Sequence, residues 1–120
     1  DLALLALDIR DDGTLEFGDP PGPVTVASVL RAQEHGFIVG SCSDRFLSAQ
    51  RALWERHGVG YRFVAAKHGL SLVRREFHAL RYLHVGDREL DKQVAERAGF
   101  DFLWPDEAVT EPWLAWVAVR

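Results

Sequence analysis

The sequence predicts an α/β protein, a three-layer α/β/α sandwich around a mainly parallel, Rossmann-like sheet of five strands. Short apolar runs alternate with longer amphipathic segments, and glycines or polar turn residues separate them. Strands that alternate with helices imply right-handed crossovers and therefore a mostly parallel sheet. The 120 residues contain no linker, repeat or low-complexity segment. A single domain is therefore expected over residues 1–120.

The composition is that of an ordinary globular protein, with 48% hydrophobic and 27% charged residues. A net charge of −4 gives no general attraction to nucleic acids or anionic membranes. No stretch approaches the roughly 18 apolar residues needed to span a bilayer. Cys42 is the single cysteine, which excludes an internal disulfide and a cysteine-rich zinc site. We expect a cytoplasmic protein with no membrane partner and no clear nucleic-acid partner, and we leave homo-oligomers open.

The first segment is predicted to be a central strand that ends at a carboxylate. Residues 2–9 are almost wholly apolar up to Asp8, as expected for a strand covered on both faces. Residues 11–14 have the chemistry of a turn. A run rich in proline and glycine closes the segment 14–23, which we interpret as a small flap. Asp8 therefore lies where a buried strand emerges.

Two helices and a second strand follow. Residues 24–35 and 45–57 are predicted to be amphipathic helices that end at glycines. Residues 37–40 form a short strand between them, followed by a polar stretch in which Ser43 or Asp44 can cap the second helix. The residues predicted to face the core from these helices are Val26, Ala27, Val29, Leu30, Phe46, Ala49 and Leu53.

The third strand is predicted over residues 61–66 and ends at Lys67, and a short helix over 70–79 follows it. The end of the chain is less regular. We favour a helix begun by proline over an edge strand for residues 111–117, within a C-terminal extension that covers 106–120.

The stretch 82–104 has the most distinctive pattern in the chain. Its opening is predicted to be a short buried strand that Gly86 breaks, and Asp87 and Asp91 follow in a Gly-Asp-x-x-x-Asp arrangement at the start of a helix. Gly99 supplies the C-cap of that helix, and a fifth strand comes next. The two carboxylates are therefore expected near one strand end.

Polar side chains follow each of the first four predicted strands. Because parallel strands point the same way, these side chains should gather at the edge where ligands of α/β sheets bind. They are Asp8, Ser41, Lys67, Asp87 and Asp91. Carboxylates that repel one another need a cation between them, and Mg²⁺ prefers oxygen ligands. An ammonium and a hydroxyl suit phosphate oxygens, so the prediction is a magnesium-dependent phosphoryl site.

The order of these motifs resembles that of the haloacid dehalogenase superfamily of phosphotransferases. Asp8 after a hydrophobic strand, with Asp-Gly-Thr close behind it, resembles the first motif. Ser41 resembles the second and Lys67 the third. The Gly-Asp-x-x-x-Asp sequence that begins at Gly86, with its Ala-Gly-Phe continuation, resembles the fourth and is the most specific. The similarity spans residues 2 to about 108, nearly the whole chain.

The resemblance implies a nucleophilic carboxylate and a bound metal. Asp8 matches the aspartate that attacks phosphorus and forms an aspartyl-phosphate. The implied Mg²⁺ ligands are Asp8, the backbone carbonyl of Arg10, Asp87 and Asp91.

The resemblance also implies how the substrate is held. Ser41 and Lys67 match the residues that hold the phosphoryl group, and Ser43 is a competing candidate at the same strand end. No insertion has the size of a cap domain, so the site is expected to be open. Capless relatives act on large phosphorylated substrates or use a partner to close the site, and the implied activity is hydrolysis of a phosphomonoester.

One position departs from the family pattern. The first motif of the family is Asp-x-Asp-Gly-Thr, and its second aspartate is the general acid and base. Aligned on the strand that ends at Asp8, that position is Arg10, which cannot shuttle protons near neutral pH. Aligned on Asp12-Gly13-Thr14, Arg10 instead takes the place of the nucleophile, so neither alignment gives a complete motif. A two-residue insertion would let Asp12, or Asp11, take the place of the acid. Otherwise activity is lost or much reduced, although general acid–base catalysis contributes only about 10²- to 10⁴-fold.

Two other functional classes remain open. Arg10 favours a catalytically silent relative that serves as a binding or assembly module. A response-regulator-like receiver also has strand-end acids and a lysine, but its acids should precede the middle of the chain. Two further residues have structural explanations: Cys42 shows no histidine at a supporting spacing, and His84 within a strand is expected to be packed rather than ligating.

Overall fold

The computed structural model describes residues 3–9, 16 and 22–115. They form an α/β protein, as the sequence predicts. The strands are β1 (Ala3–Leu7), β2 (Ile38–Ser43), β3 (Phe63–Ala66), β4 (Arg81–Val85) and β5 (Asp101–Leu103). The helices are α1 (Val26–Glu34), α2 (Leu47–Arg56), α3 (Leu70–Glu76), α4 (Glu89–Ala98) and α5 (Pro105–Ala108), and a 3₁₀ turn (Lys67–Gly69) precedes α3.

The five strands make one sheet in the order β3-β2-β1-β4-β5. Each neighbouring pair is parallel, so the predicted parallel sheet is confirmed. The chain winds outward from β1 in one direction and then returns to the other side of β1 with β4. The strand order therefore reverses between β1 and β4, and ligands of open α/β sheets bind in the crevice beyond such a reversal.

Alternate residues of each inner strand point to opposite faces, and each face is covered by helices. Leu5 and Leu7 of β1 pack on one side in a core to which α1 and α2 contribute Val29 and Trp54. Leu4 of β1 packs on the other side with residues of α3 and α4. This burial on both faces explains why β1 is apolar throughout, and it confirms the three-layer arrangement.

The second strand continues past its predicted end. It runs to Ser43 instead of stopping at residue 40, and all six of its residues are buried. The capping prediction for the following helix is also wrong, because the N-cap of α2 is Phe46, which makes no side-chain cap hydrogen bond. Phe46 is 84% exposed, Leu30 is 42% exposed and Ala27 is also exposed, so these three were wrongly predicted to face the core.

Other boundaries agree with the patterns to within a few residues. Gly99 ends α4 in the left-handed conformation, with φ 80°, as its predicted C-cap role requires. Most of the predicted flap lies outside the described residues, although the N–H of Glu16 donates to the carbonyl of Val24. Leu114 and Ala115 are helical, and the rest of the predicted C-terminal helix lies beyond the described part. Among the described helices, none has the length and apolar character to cross a membrane.

Candidate functional site

The candidate site lies at the carboxyl ends of the strands, beside the reversal of strand order. Asp8 directly follows β1, Asp44 directly follows β2, and Lys67 directly follows β3. Asp91 comes from the first turn of α4, which begins shortly after β4. Four separate segments of the chain therefore supply one cluster of charged side chains.

The ammonium of Lys67 is the centre of this cluster. Its Nζ lies 2.7 Å from Asp91 Oδ1 and 3.7 Å from Asp8 Oδ2. The third carboxylate, Asp44, has its Oδ2 at 3.6 Å from the same nitrogen. The side chains of Asp8 and Asp91 are fully buried and that of Lys67 is 3% exposed, whereas the Asp44 side chain is 38% exposed. The cluster thus reaches solvent through Asp44.

The charges explain why a lysine can be buried here. Burial disfavours the charged ammonium, but the short contact with Asp91 and the negative charges of Asp8 and Asp44 outweigh this effect and raise the pKa of Lys67. Lys67 is therefore a cation throughout the physiological range. Three carboxylates thus surround one ammonium, and such a concentration of acidic groups favours a further cation.

Gly86 fixes the position of Asp91. A β-carbon added at Gly86 would lie 2.6 Å from Asp91 Oδ2 and 2.7 Å from Asp91 Cβ, closer than real side chains approach. Asp91 Oδ2 also accepts a hydrogen bond of 3.1 Å from the backbone N–H of Arg88, the N-cap of α4. The Gly-Asp-x-x-x-Asp spacing therefore has a steric reason, because the final aspartate folds back over the glycine.

His84 brings a nitrogen to the same place. Each of Asp8, His84 and Asp91 offers a potential metal-ligand atom, and these atoms lie within 4.8 Å of one another in a buried group. His84 Nδ1 is 2.7 Å from the carbonyl of Ala6. A carbonyl only accepts hydrogen bonds, so Nδ1 carries a proton and the lone pair of the neutral ring is on Nε2. The three side chains form a possible metal-binding site.

The two serines of β2 have different environments. The hydroxyl of Ser41 donates to Gln50 Oε1 at 2.7 Å and accepts from Trp54 Nε1 at 2.9 Å, both on α2. Ser41 is thus held within the core on that side of the sheet. Ser43 is the last residue of the strand, and its hydroxyl accepts from the backbone N–H of Arg45 at 3.1 Å. Of the two, Ser43 stands at the strand end, beside Asp44 of the cluster.

The remaining predicted site residues lie at the rim or outside the described part of the chain. Asp87 is exposed, follows β4 by two residues and lines a shallow hollow. Arg10, Asp11 and Asp12 lie outside the described residues. The hollow is formed by Pro23, Asp87, Trp104, Pro105, Asp106 and Glu107.

Cys42 has a structural role. It is buried, and its thiol donates to the carbonyl of Ala66 at 3.1 Å. Burial and the nearby charge of Asp8 raise the pKa of this thiol. A thiol that resists deprotonation is a poor nucleophile, so its chemistry is that of a small packed residue.

Sequence reasoning did not select Asp44 or His84 for the site. Asp44 was interpreted as a helix cap. Of the two serine candidates at this strand end, Ser41 lies within β2 and Ser43 is its last residue. One signal for His84 was present in the sequence. It is a polar residue between the apolar Leu83 and Val85, two positions before Gly86. No protein-family model and no curated protein matches the chain, so its resemblance to a family rests on these residues alone.

Proposed function

We propose that the protein is a divalent-cation-dependent phosphatase, a small capless member of the haloacid dehalogenase superfamily. The observation that carries the proposal is the buried Lys67 ammonium, which lies between Asp8 at the end of β1 and Asp91 at the start of α4. A carboxylate next to a fixed cation, at the ligand-binding edge of a parallel sheet, is suited to covalent phosphoryl transfer.

Each side chain has a distinct role in this proposal. Asp8 attacks phosphorus, and the ester bond breaks to give an aspartyl-phosphate and the alcohol. Lys67 neutralises the charge that develops on the phosphoryl oxygens, and Ser43 donates a hydrogen bond to one of them. Asp91 keeps the ammonium in position. Catalysis here is mostly positioning and charge neutralisation, as phosphoryl transfer requires.

The donor set suits a divalent cation. Asp8, His84 and Asp91 offer buried ligand atoms within 4.8 Å of one another, and Asp87 adds a carboxylate at the rim. We assign Asp8 and Asp87 as the principal Mg²⁺ ligands, since Asp91 lies closer to the Lys67 ammonium than Asp8 does, at 2.7 Å against 3.7 Å. A bound cation would shield the phosphate charge as Asp8 approaches it.

The substrate in this proposal is a phosphomonoester whose size the described residues do not restrict. The described residues that link β3 to β4 comprise only the 3₁₀ turn and α3, which is far short of a cap domain. The exposed Asp44 and Asp87 leave the cluster accessible from one side. We therefore propose a large phosphorylated substrate, or a partner that closes the site, in a reducing cytoplasm that keeps Cys42 free.

The test is phosphatase activity of the purified chain with millimolar Mg²⁺, compared with an Asp8→Asn variant. Asparagine keeps the shape of the side chain and removes the nucleophile. We expect the wild type to release phosphate and the variant to lose the activity. Equal rates for the two proteins would refute the proposal.

A second candidate is a catalytically silent binding module, which Arg10 in the place of the usual acid favours. It predicts that the protein shows no phosphatase activity and no change in thermal midpoint when Mg²⁺ is added. A rise in midpoint with Mg²⁺ in the wild type, diminished in Asp87→Asn, would exclude it.

A further inference from the structure

The three carboxylates around Lys67 are not equivalent. Asp8 and Asp91 are fully buried, and both oxygens of Asp91 have short contacts, with Lys67 and with the N–H of Arg88. Asp44 is 38% exposed and lies 3.6 Å from the ammonium on the side that faces solvent. Asp44 is thus the member of this cluster that contacts the fixed cation and is also open to solvent.

The chemistry of the proposed reaction needs a base at such a position. An aspartyl-phosphate on Asp8 must be hydrolysed by a water molecule that arrives from solvent. That water loses a proton as its oxygen bonds to phosphorus. Asp8 is consumed in the acyl-phosphate bond at this stage, and Asp91 is enclosed. A carboxylate that flanks the same ammonium and is open to solvent can accept the proton and return it to bulk water.

We propose that Asp44 is the general base for hydrolysis of the aspartyl-phosphate, an inference that rests on the proposed function. In this step the oxygen of water forms a bond to phosphorus and the bond between phosphorus and Asp8 Oδ breaks. The proton of the water moves to Asp44. The products are inorganic phosphate, the free Asp8 carboxylate and a protonated Asp44, which returns its proton to solvent. The ion pair with Lys67 orients the carboxylate of Asp44. Water is the only co-reactant, and the step involves no oxidation or reduction.

The proposal explains how a chain with Arg10 at the usual position of the acid can still turn over. It also predicts which of the two kinetic steps depends on Asp44. Phosphorylation of Asp8 by 4-nitrophenyl phosphate needs no acid, because the 4-nitrophenolate that leaves is a stable anion. The role of Asp44 should therefore appear only in the second step.

The experiment is a rapid-quench comparison of wild type, Asp44→Asn and Asp101→Asn with 4-nitrophenyl phosphate and Mg²⁺. Asp101 is a matched control, because its side chain is 64% exposed and lies at the start of β5, at the opposite edge of the sheet. We expect Asp44→Asn to release one 4-nitrophenolate per protein in a burst. Its steady-state rate should fall by about 10²- to 10⁴-fold, while acid-quenched protein accumulates the phosphorylated form. Asp101→Asn should behave as the wild type.

The outcomes separate the two proposals. A wild type that forms no phosphoprotein and releases no product overturns both. An active wild type with an unchanged steady-state rate in Asp44→Asn overturns only the role of Asp44. Loss of the burst together with the steady state also overturns it, since Asp44 would then act on Lys67 or on phosphorylation. An Asp44→Glu variant that recovers part of the steady-state rate supports the base over a purely structural role.

Discussion

Replacing Gly86 by alanine tests the contact on which the geometry of the cluster depends. Gly86 follows β4, and Asp91 folds back over it so closely that an added β-carbon would lie 2.6 Å from Oδ2 and 2.8 Å from Cγ of Asp91. The aspartate cannot retreat freely, because its carboxylate is held by Lys67 and by the N–H of Arg88. The substitution therefore forces either the backbone or the buried ion pair to shift.

The expected cost follows from these contacts. Overpacking a close-packed site by one methyl group costs about 1–3 kcal/mol, and displacing Asp91 from Lys67 adds to that cost because both groups are buried. Gly60→Ala is the matched control, since a β-carbon at Gly60 meets no atom within 4 Å. There the change should be neutral or stabilising by about 0.4–1 kcal/mol, through the entropy of the unfolded chain.

Urea denaturation of the wild type and the two alanine variants measures the difference directly. We expect Gly86→Ala to be at least about 1 kcal/mol less stable than Gly60→Ala, with a matching loss of any phosphatase activity in the first variant only. If the two variants unfold at the same urea concentration with the same slope, Asp91 is not packed against Gly86 as described. The steric explanation of the motif would then be wrong.

Three further predictions concern the same edge of the sheet. The raised pKa of Lys67 means that its stabilising contribution is complete below the unfolded-state pKa and is lost as pH rises above about 10.5. In urea denaturation at increasing pH, the free energy of unfolding of the wild type and of Lys92→Met should therefore fall above about pH 10.5. The fall should be smaller in Lys67→Met, which has no ammonium at this position. Ser41→Ala should reduce the free energy of unfolding by about 1–3 kcal/mol, because it removes a buried hydroxyl that bonds both Gln50 and the Trp54 indole. Ser43→Ala should lower kcat/KM and also cost about 0.5–1.5 kcal/mol, since the Arg45 N–H loses its bond to this hydroxyl; a loss of kcat/KM confined to Ser41→Ala would return Ser41 to the site. Millimolar Mg²⁺ should raise the thermal midpoint of the wild type more than that of Asp87→Asn, and equal shifts would remove Asp87 from the metal site.

Much of the fold follows from the sequence because β1 is apolar without interruption. Both faces of a strand such as Ala3–Leu7 must be covered, because its residues are all apolar. Strands of this kind are typical of parallel sheets with crossover helices on both sides. The carboxyl ends of parallel strands lie at one edge of the sheet, which predicts that Asp8, Lys67 and Asp91 are close together. In the structure, Lys67 forms ion pairs with both aspartates. Periodicity and the direction of parallel strands were sufficient for this part.

The end of β2 could not be predicted in the same way. Gly40 followed by small polar residues is typical of a turn, but here the strand continues because its polar groups are satisfied inside the protein. The hydroxyl of Ser41 donates to Gln50 and accepts from Trp54, and neither contact can be deduced from local propensity. A buried serine with long-range partners has the same sequence signature as an exposed one.

His84 is buried, as expected for a packed histidine, but its place beside Asp8 and Asp91 could not be predicted, for a related reason. Its side chain reaches the cluster because the parallel pairing sets it opposite Ala6, two residues before Asp8. That register depends on how β1 and β4 align across the sheet, and many residues separate the two strands in sequence. Alternation predicts on which face a strand residue lies only after the phase of the strand has been fixed.

In the proposed mechanism Lys67 would be both catalytic and structural, so a loss of activity on its removal has two explanations. The lysine follows β3 and contacts carboxylates that follow β1 and β2 and that begin α4, so it holds four segments of the sheet edge together. Removing it leaves buried Asp8 and Asp91 uncompensated, which costs about 3–5 kcal/mol in comparable cases. An inactive Lys67 variant would therefore be consistent with a catalytic lysine and with a collapsed site alike. Asp44 avoids this ambiguity, because it is partly exposed and its substitution leaves the buried pair of Lys67 and Asp91 intact. A change confined to the second kinetic step of Asp44→Asn would therefore be evidence of chemistry, which activity loss at the centre of the cluster cannot provide.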